Sequence, residues 1–100
     1  MRKILGYIAE KYDQDITLEE LAKVGFISVT KCLKLFKEYT SLSPIAYLIK
    51  YRLNIAYELI KESDDTIIEI ASKVGFSSQI YFTRMFVKEY KVTPLSLRKK

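Results

Sequence analysis

Apolar residues recur along this chain at three- and four-residue steps, and the elements they predict are helices. Ile4 and Ile8, with Leu5 and Tyr12, make an amphipathic first helix that ends near the polar stretch Asp13-Gln14-Asp15. Thr17-Leu18-Glu19-Glu20 reads as a capping box: the Thr17 hydroxyl accepts from a free backbone N–H, and Glu20 reaches back to the cap residue. A second helix starts there. The third is expected from about Ser28 to Tyr39, with Cys32, Leu35, Phe36 and Tyr39 inward at i, i+3, i+4 and i+7. That register leaves Thr30, Leu33, Lys34 and Lys37 on the opposite face. Ser43-Pro44 sets a hydroxyl cap before a proline whose missing N–H costs nothing at a first helical position. The helix it opens runs to about Ser63, with Leu48, Tyr51, Ile55, Ala56, Leu59 and Ile60 in register and no interior Gly or Pro. Thr66-Ile67-Ile68-Glu69 repeats the capping box ahead of a further helix. After it, Phe82, Met85 and Phe86 face inward, which turns Ile80, Thr83, Arg84 and Val87 outward and leaves Gln79 in the exposed first turn. Thr93-Pro94 opens the last helix as Ser43-Pro44 opened the fourth.

The pattern is also a duplication. Lys23-Val24-Gly25-Phe26 returns as Lys73-Val74-Gly75-Phe76, and the same offset of 50 links Phe36 to Phe86 and Pro44 to Pro94. Leu21-Ala22 and Ile70-Ala71, however, align at 49, as do Ser28 and Ser77. One copy therefore carries a one-residue shift near its turn, at a place the sequence does not reveal. The small Ala22 and Ala71 suit a close helix crossing. Two copies are too few for a solenoid, which needs three or more stacked repeats. Each copy reads as a short helix, a tight turn at Gly and a second helix with a polar, partly basic outer face, the layout of a double DNA reader. The expected division is residues 1–43, a linker helix over 44–63, and residues 64–100. At 1.5 Å per residue the linker is a rod of roughly 27 to 30 Å. Successive turns of the major groove on one face of DNA lie about 34 Å apart, so such a rod suits two helices entering adjacent turns.

Composition narrows the chemistry. The chain has 100 residues, one cysteine and no histidine. A disulfide within the chain and a Cys-rich metal site are excluded, and the commonest general base and zinc ligand is absent. With no phosphate-binding Gly loop either, an enzyme is not expected, and neither is a cofactor. Cys32, on the inward stripe, reads as core. No apolar run approaches the roughly 18 to 20 residues of a membrane span, and the start does not read as a secretory signal. The expected location is the cytoplasm, at the bacterial nucleoid. The net charge is +5, and residues 66–100 alone carry +5. That half is expected to supply more of the attraction to phosphate.

The Leu21-Ala22 pair, Ser28, Phe36-Lys37, Ser43-Pro44, Arg52-Leu53, Ala56, the stretch Ile70 to Phe76, Tyr81-Phe82, Phe86, Thr93-Pro94 and Arg98 together resemble the DNA-binding domain of AraC/XylS-type bacterial transcription regulators. The likeness covers essentially the whole chain. It implies an all-α fold of seven helices, with two helix-turn-helix subdomains joined by a long central helix, and activation of promoters through contact with RNA polymerase. Carried over by position, base contacts fall on Thr30, Leu33 and Lys34 in the first copy and on Gln79, Ile80, Thr83 and Arg84 in the second. Arg84 suits a guanine edge, Gln79 an adenine edge, and Leu33 and Ile80 thymine methyls. Phosphate contacts, which position without reading sequence, fall on Ser28, Lys37, Ser78, Lys88, Lys91 and Thr93. Arg52 matches a position that ties the linker helix to its neighbour. Ser41 and Lys91 stand where a Gly commonly ends each reading helix, so the left-handed cap is expected to be strained or absent. Val87 and Leu97 replace a usual Lys and a usual aromatic residue.

The expected function is therefore sequence-specific binding of double-stranded DNA by a monomer acting on a two-part site. One alternative is that the chain is the DNA-binding part of a longer regulator with a sensor or dimerisation domain. Another, of a different class, is a protein-interaction module that keeps the fold and engages polymerase or another regulator without reading DNA.

Overall fold

The computed structural model describes residues 1–99 and is all-helical over them: α1 (Arg2–Lys11), α2 (Leu18–Val24), α3 (Val29–Thr40), α4 (Pro44–Glu62), α5 (Ile67–Lys73), α6 (Gln79–Tyr90) and α7 (Pro94–Arg98). No described helix is long and apolar enough to cross a membrane. The chain forms two compact units, Met1 to Tyr51 and Arg52 onward, so that α4 contributes its first turns to one and its last turns to the other.

In the first unit, α1 and α2 pack together and α2 packs on α3. Ile4, Ile8, Ile16, Leu21, Ala22, Cys32, Phe36 and Leu48 form the core. Burial pushes the Cys32 thiol up from its ordinary value, which suits an inert core thiol. Tyr39 departs from the expected inward stripe and is 69% exposed. It lies in the last turn of α3. The expected capping box at α2 is half made. Thr17 accepts from the Glu20 N–H, but the Glu20 carboxylate accepts from the Tyr7 hydroxyl of α1 instead of reaching back. That bond raises the Tyr7 phenol above its ordinary value. At α5 the box is complete, with Thr66 and Glu69 bonded reciprocally.

The second unit has a more aromatic interior. Phe76 meets Phe82 edge-on at 5.1 Å between centroids, Phe82 lies 5.7 Å from Phe86, and Phe86 and Tyr57 each lie 4.7 Å from Tyr90. Phe82 and Phe86 are fully buried, and removing either ring is expected to cost about 3–5 kcal/mol. The Arg52 guanidinium stands 5.9 Å from the Phe76 ring centroid, in line with the structural role expected of it. Arg98 closes the far end of α4. Its Nε donates to the Ile60 carbonyl at 3.2 Å, one of those a helix end otherwise leaves open, Nη2 to that of Ser63 at 3.1 Å and Nη1 to that of Asp65 in the link that follows.

The turns locate the one-residue shift. After α2, Gly25 is right-handed (φ −87°), Phe26 is left-handed (φ 55°), and the Ile27 N–H returns to the Ala22 carbonyl at 3.0 Å. After α5, Val74 is right-handed (φ −89°), Gly75 is left-handed (φ 103°), and the Phe76 N–H returns to the Ala71 carbonyl at 2.9 Å. Both are Schellman ends, and they superpose at an offset of 49. Helices α3 and α6 instead match at 50, from the serine caps Ser28 and Ser78 onward. Ser77 is thus the additional residue, and Ser78, not Ser77, is the counterpart of Ser28. The Lys-Val-Gly-Phe words do not superpose, because the backbone return to Ala22 and Ala71 sets the register. Phe76 is accordingly buried while Phe26 is 84% exposed, with the Lys3 ammonium 5.3 Å from its ring centroid.

The caps at the other ends of α3 and α6 are present despite the missing glycines. Ser41 (φ 64°) and Lys91 (φ 63°) are left-handed, and their N–H groups bond the Lys37 and Val87 carbonyls. Each non-Gly residue there is strained.

Candidate nucleic-acid interface

Each candidate face is built on a twelve-residue helix anchored by two buried aromatic or sulfur side chains. In α3, Cys32 and Phe36 point into the core, which turns Thr30, Lys34 and Lys37 fully outward and leaves Leu33 42% exposed. The Ser28 Oγ accepts from the Lys31 N–H at 3.1 Å, and its own O–H remains a donor at the helix start. A shallow depression on this helix is lined by Ser28, Thr30, Lys31, Lys34, Leu35 and Glu38. Lys31 and Glu38 were not among the residues expected here, and Leu35, expected on the inward stripe, is half-buried and borders the depression. The signal that finds them is spacing: Lys31, Lys34 and Glu38 lie at i, i+3 and i+7, one stripe of the helix. Leu33 lies outside the depression's lining.

In α6, Phe82 and Phe86 are the anchors, and Gln79, Ile80, Thr83 and Arg84 come together around a single shallow depression. All four were expected from sequence. Ile80 is 75% exposed, whereas Thr83 is half-buried at the edge of the core. The Ser78 Oγ accepts from the Tyr81 N–H at 3.2 Å. Tyr81 itself is 41% exposed beside Ile80, and Val87 is 36% exposed where a cation was usual.

The groups expected to hold phosphate are less uniform. Lys37 and Lys88 are exposed. The Lys91 ammonium folds back to donate to the Lys88 carbonyl at 3.0 Å, at the negative end of α6. The Thr93 Oγ1 accepts from the Ser96 N–H at 3.0 Å and so caps α7. Among the described residues no carboxylate pairs with Lys34, Lys37 or Arg84, whereas Lys73 pairs with Asp65 at 2.6 Å. Unpaired cations, free hydroxyl donors and exposed apolar side chains on one helix face are the groups that recognise base edges and phosphates.

Comparison with known proteins places this arrangement. A family described as a helix-turn-helix domain matches residues 21–100. An HTH-type transcriptional regulator of Bacillus subtilis, YdeC, is 33% identical over 99% of this chain and 34% of its own length. The chain spans about a third of the length of the curated relatives it matches. The C-terminal domain of AraT, a response regulator from Geobacillus stearothermophilus, superposes with a TM-score of 0.91 at 33% identity, over 98% of this chain and 82% of that one. The DNA-binding domain of AdpA, solved in complex with a target DNA, shares the fold (TM-score 0.90, 22% identity, 98% of this chain and 87% of that one). With two matching pairs of capped helices and these relatives, the chain belongs to the helix-turn-helix DNA-binding domains of AraC/XylS-type transcription regulators.

Proposed function

We propose that the chain binds double-stranded DNA sequence-specifically, with α3 and α6 in adjacent major grooves, and that it regulates transcription in the bacterial cytoplasm as an activator engaging RNA polymerase. The observation that carries this reading is the equivalence of the two faces. Each is a twelve-residue helix with a serine cap, two buried anchors, and exposed side chains that match base-edge chemistry at the same positions. In this reading Thr30, Leu33, Lys34, Gln79, Ile80, Thr83 and Arg84 contact bases. Ser28, Lys37, Ser78, Lys88, Lys91 and Thr93 contact phosphates, with Lys91 first releasing its carbonyl.

The test begins with duplexes selected from a random pool. Against the selected site, Arg84→Ala should lose about 1–3 kcal/mol and relax preference at one base pair, whereas Lys37→Ala should weaken selected and random duplexes alike. Equal losses on both kinds of duplex for Arg84→Ala would rule out base reading by that side chain. If no duplex binds even at low salt, where phosphate attraction is strongest, the reading gives way to a module that meets only protein partners. Titrating the polymerase into the bound complex on a promoter carrying the site tests activation.

A further inference from the structure

A half-open hollow of about 620 Å³ lies in the second unit, lined by Tyr57 and Lys61 of α4, Tyr90 of α6, Val92, and Leu97 and Arg98 of α7. It meets α6 at that helix's last residue, whereas Gln79, Ile80, Thr83 and Arg84 lie in its first half, so the hollow is separate from the candidate interface. The duplication shows what this corner lacks. The left-handed ends Ser41 and Lys91 and the helix starts Pro44 and Pro94 match at an offset of 50, which makes Tyr47 the counterpart of Leu97 and Thr40 that of Tyr90. In the first unit the Tyr47 ring closes edge-on against the anchor Phe36 at 5.7 Å, and the small Thr40 turns its hydroxyl back to the Phe36 carbonyl at 2.7 Å. In the second unit the ring against the anchor comes from α6: Tyr90 lies 4.7 Å from Phe86. Helix α7 offers the aliphatic Leu97, and the place of a ring on that side stays open.

We infer that this hollow binds a small aromatic carboxylate, with the ring against Tyr57, Tyr90 and Leu97 and the anionic group toward Lys61 and Arg98. Small-ligand sites combine apolar walls with a few polar groups that fix orientation, in hollows of about 300–1,000 Å³. Tyr57 and Tyr90, 4.7 Å apart between centroids and inclined at 44°, make an aromatic corner in which a planar ring packs tilted or offset. The Tyr90 hydroxyl donates to Asn54 Oδ1 at 2.6 Å, which holds that wall in place. The polar groups of the lining are cations. The Lys61 ammonium stands 5.5 Å from the Tyr57 centroid and, among the described residues, pairs with no carboxylate. Arg98 commits three N–H groups to backbone carbonyls, and a guanidinium carries more. Glu58 and Glu89, whose charges act on the Tyr90 phenol, do not line the hollow. Negative charge therefore disfavours an anion at the Tyr90 end and directs it to Lys61.

Titration of the whole chain with 2-naphthoate tests this. The chain has no tryptophan, so the emission of the naphthoate, excited beyond the tyrosine band, reads its binding directly. Saturation is expected with a Kd on the order of 0.1–1 mM, in keeping with a ligand of that size. 2-Naphthamide, which keeps the rings and loses the charge, should bind about tenfold more weakly, the factor of one charge-assisted hydrogen bond. Lys61→Gln should weaken naphthoate by about the same factor and leave naphthamide unchanged. Leu97→Tyr restores the residue type of the first unit, sets a ring in the hollow and should abolish binding of both ligands. Lys61 is exposed and Leu97 half-buried, and far-UV circular dichroism checks that each variant folds. Equal affinities of the wild type for the two ligands, equal losses for both in Lys61→Gln, naphthoate bound undiminished by Leu97→Tyr, or no saturation up to about 10 mM would each overturn the inference.

Discussion

Gly25 and Gly75 occupy the same place in a repeated word, yet the structure requires glycine at each for a different reason, and a double-mutant cycle separates them. Gly25 has φ −87° and ψ 0°, which any residue can adopt. A Cβ there, however, meets Ile4 Cδ1 at 2.6 Å and Cγ1 at 3.0 Å. Ile4 is completely buried among the core side chains, so its side chain has little room to turn aside. Overpacking of this kind costs about 1–3 kcal/mol, while the stiffer unfolded chain of an alanine variant returns about 0.4–1 kcal/mol. Gly25→Ala should therefore destabilise by about 1–2 kcal/mol. Ile4→Val removes Cδ1, the atom in the way, at a cost of about 0.5–1.5 kcal/mol alone. With both changes present the clash is relieved, so the double variant should be more stable than the sum of the singles by about 1 kcal/mol. The chain has no tryptophan, so urea unfolding is best followed by far-UV circular dichroism. Gly75→Ala is the control. At φ 103° the added methyl is strained whatever the space around it, and its loss should simply add to that of Ile4→Val. Additive losses for Gly25 and Ile4, or a stabilising Gly25→Ala, would refute the close approach of α1 to this turn.

Three further outcomes follow from the caps and the second unit. Ser41→Gly should raise stability by about 0.5–1 kcal/mol, because it removes left-handed strain of about 1–2 kcal/mol and gives part of it back as chain entropy; thermal unfolding reads the gain as a shift of a few degrees. Arg98→Ala should cost about 2–3 kcal/mol by stranding three backbone carbonyls, and Arg98→Lys should fail to rescue it, since an ammonium does not span the three acceptors. Burial, followed by the charges of Glu89, Tyr57 and Glu58, pushes the Tyr90 phenol up to about 12. An unfolded tyrosine titrates near pH 10, so between roughly pH 10 and 12 the unfolded chain sheds a proton that the folded chain keeps, and stability falls as pH rises through that window. Tyrosinate absorbance should show a late step, and Tyr90→Phe should remove it.

Much of this fold was legible because it is written in local chemistry. Thr17, Ser28, Thr66, Ser78 and Thr93 each accept from the backbone N–H three residues on, and a hydroxyl before a helical run signals that without tertiary information. The outward faces of α3 and α6 followed from their anchors, and Gln79, Ile80, Thr83 and Arg84 do share one surface. What escaped depends on partners distant in sequence. Glu20 answers to Tyr7, thirteen residues away, not to its own cap. Tyr39 has the angular position of a core residue and is nevertheless exposed. The register of the turns was hidden because a word of four letters carries no φ angles. Glycine at Gly25 was read as the turn residue, whereas the left-handed position belongs to Phe26.

Ser77 sets the terms on which the two units can exchange parts. A crossover inside the identical words, from the first unit into the second, would keep Gly25 and continue with Phe76 and Ser77. That hybrid would put a serine where Ile27 closes its turn. The opposite crossover would leave Ile27 stranded in the place of Ser77. Seamless grafting has to join at the caps Ser28 and Ser78 and to leave Ser77 with its own scaffold, so the stretch where the chain's two halves look most alike is the wrong place to cut.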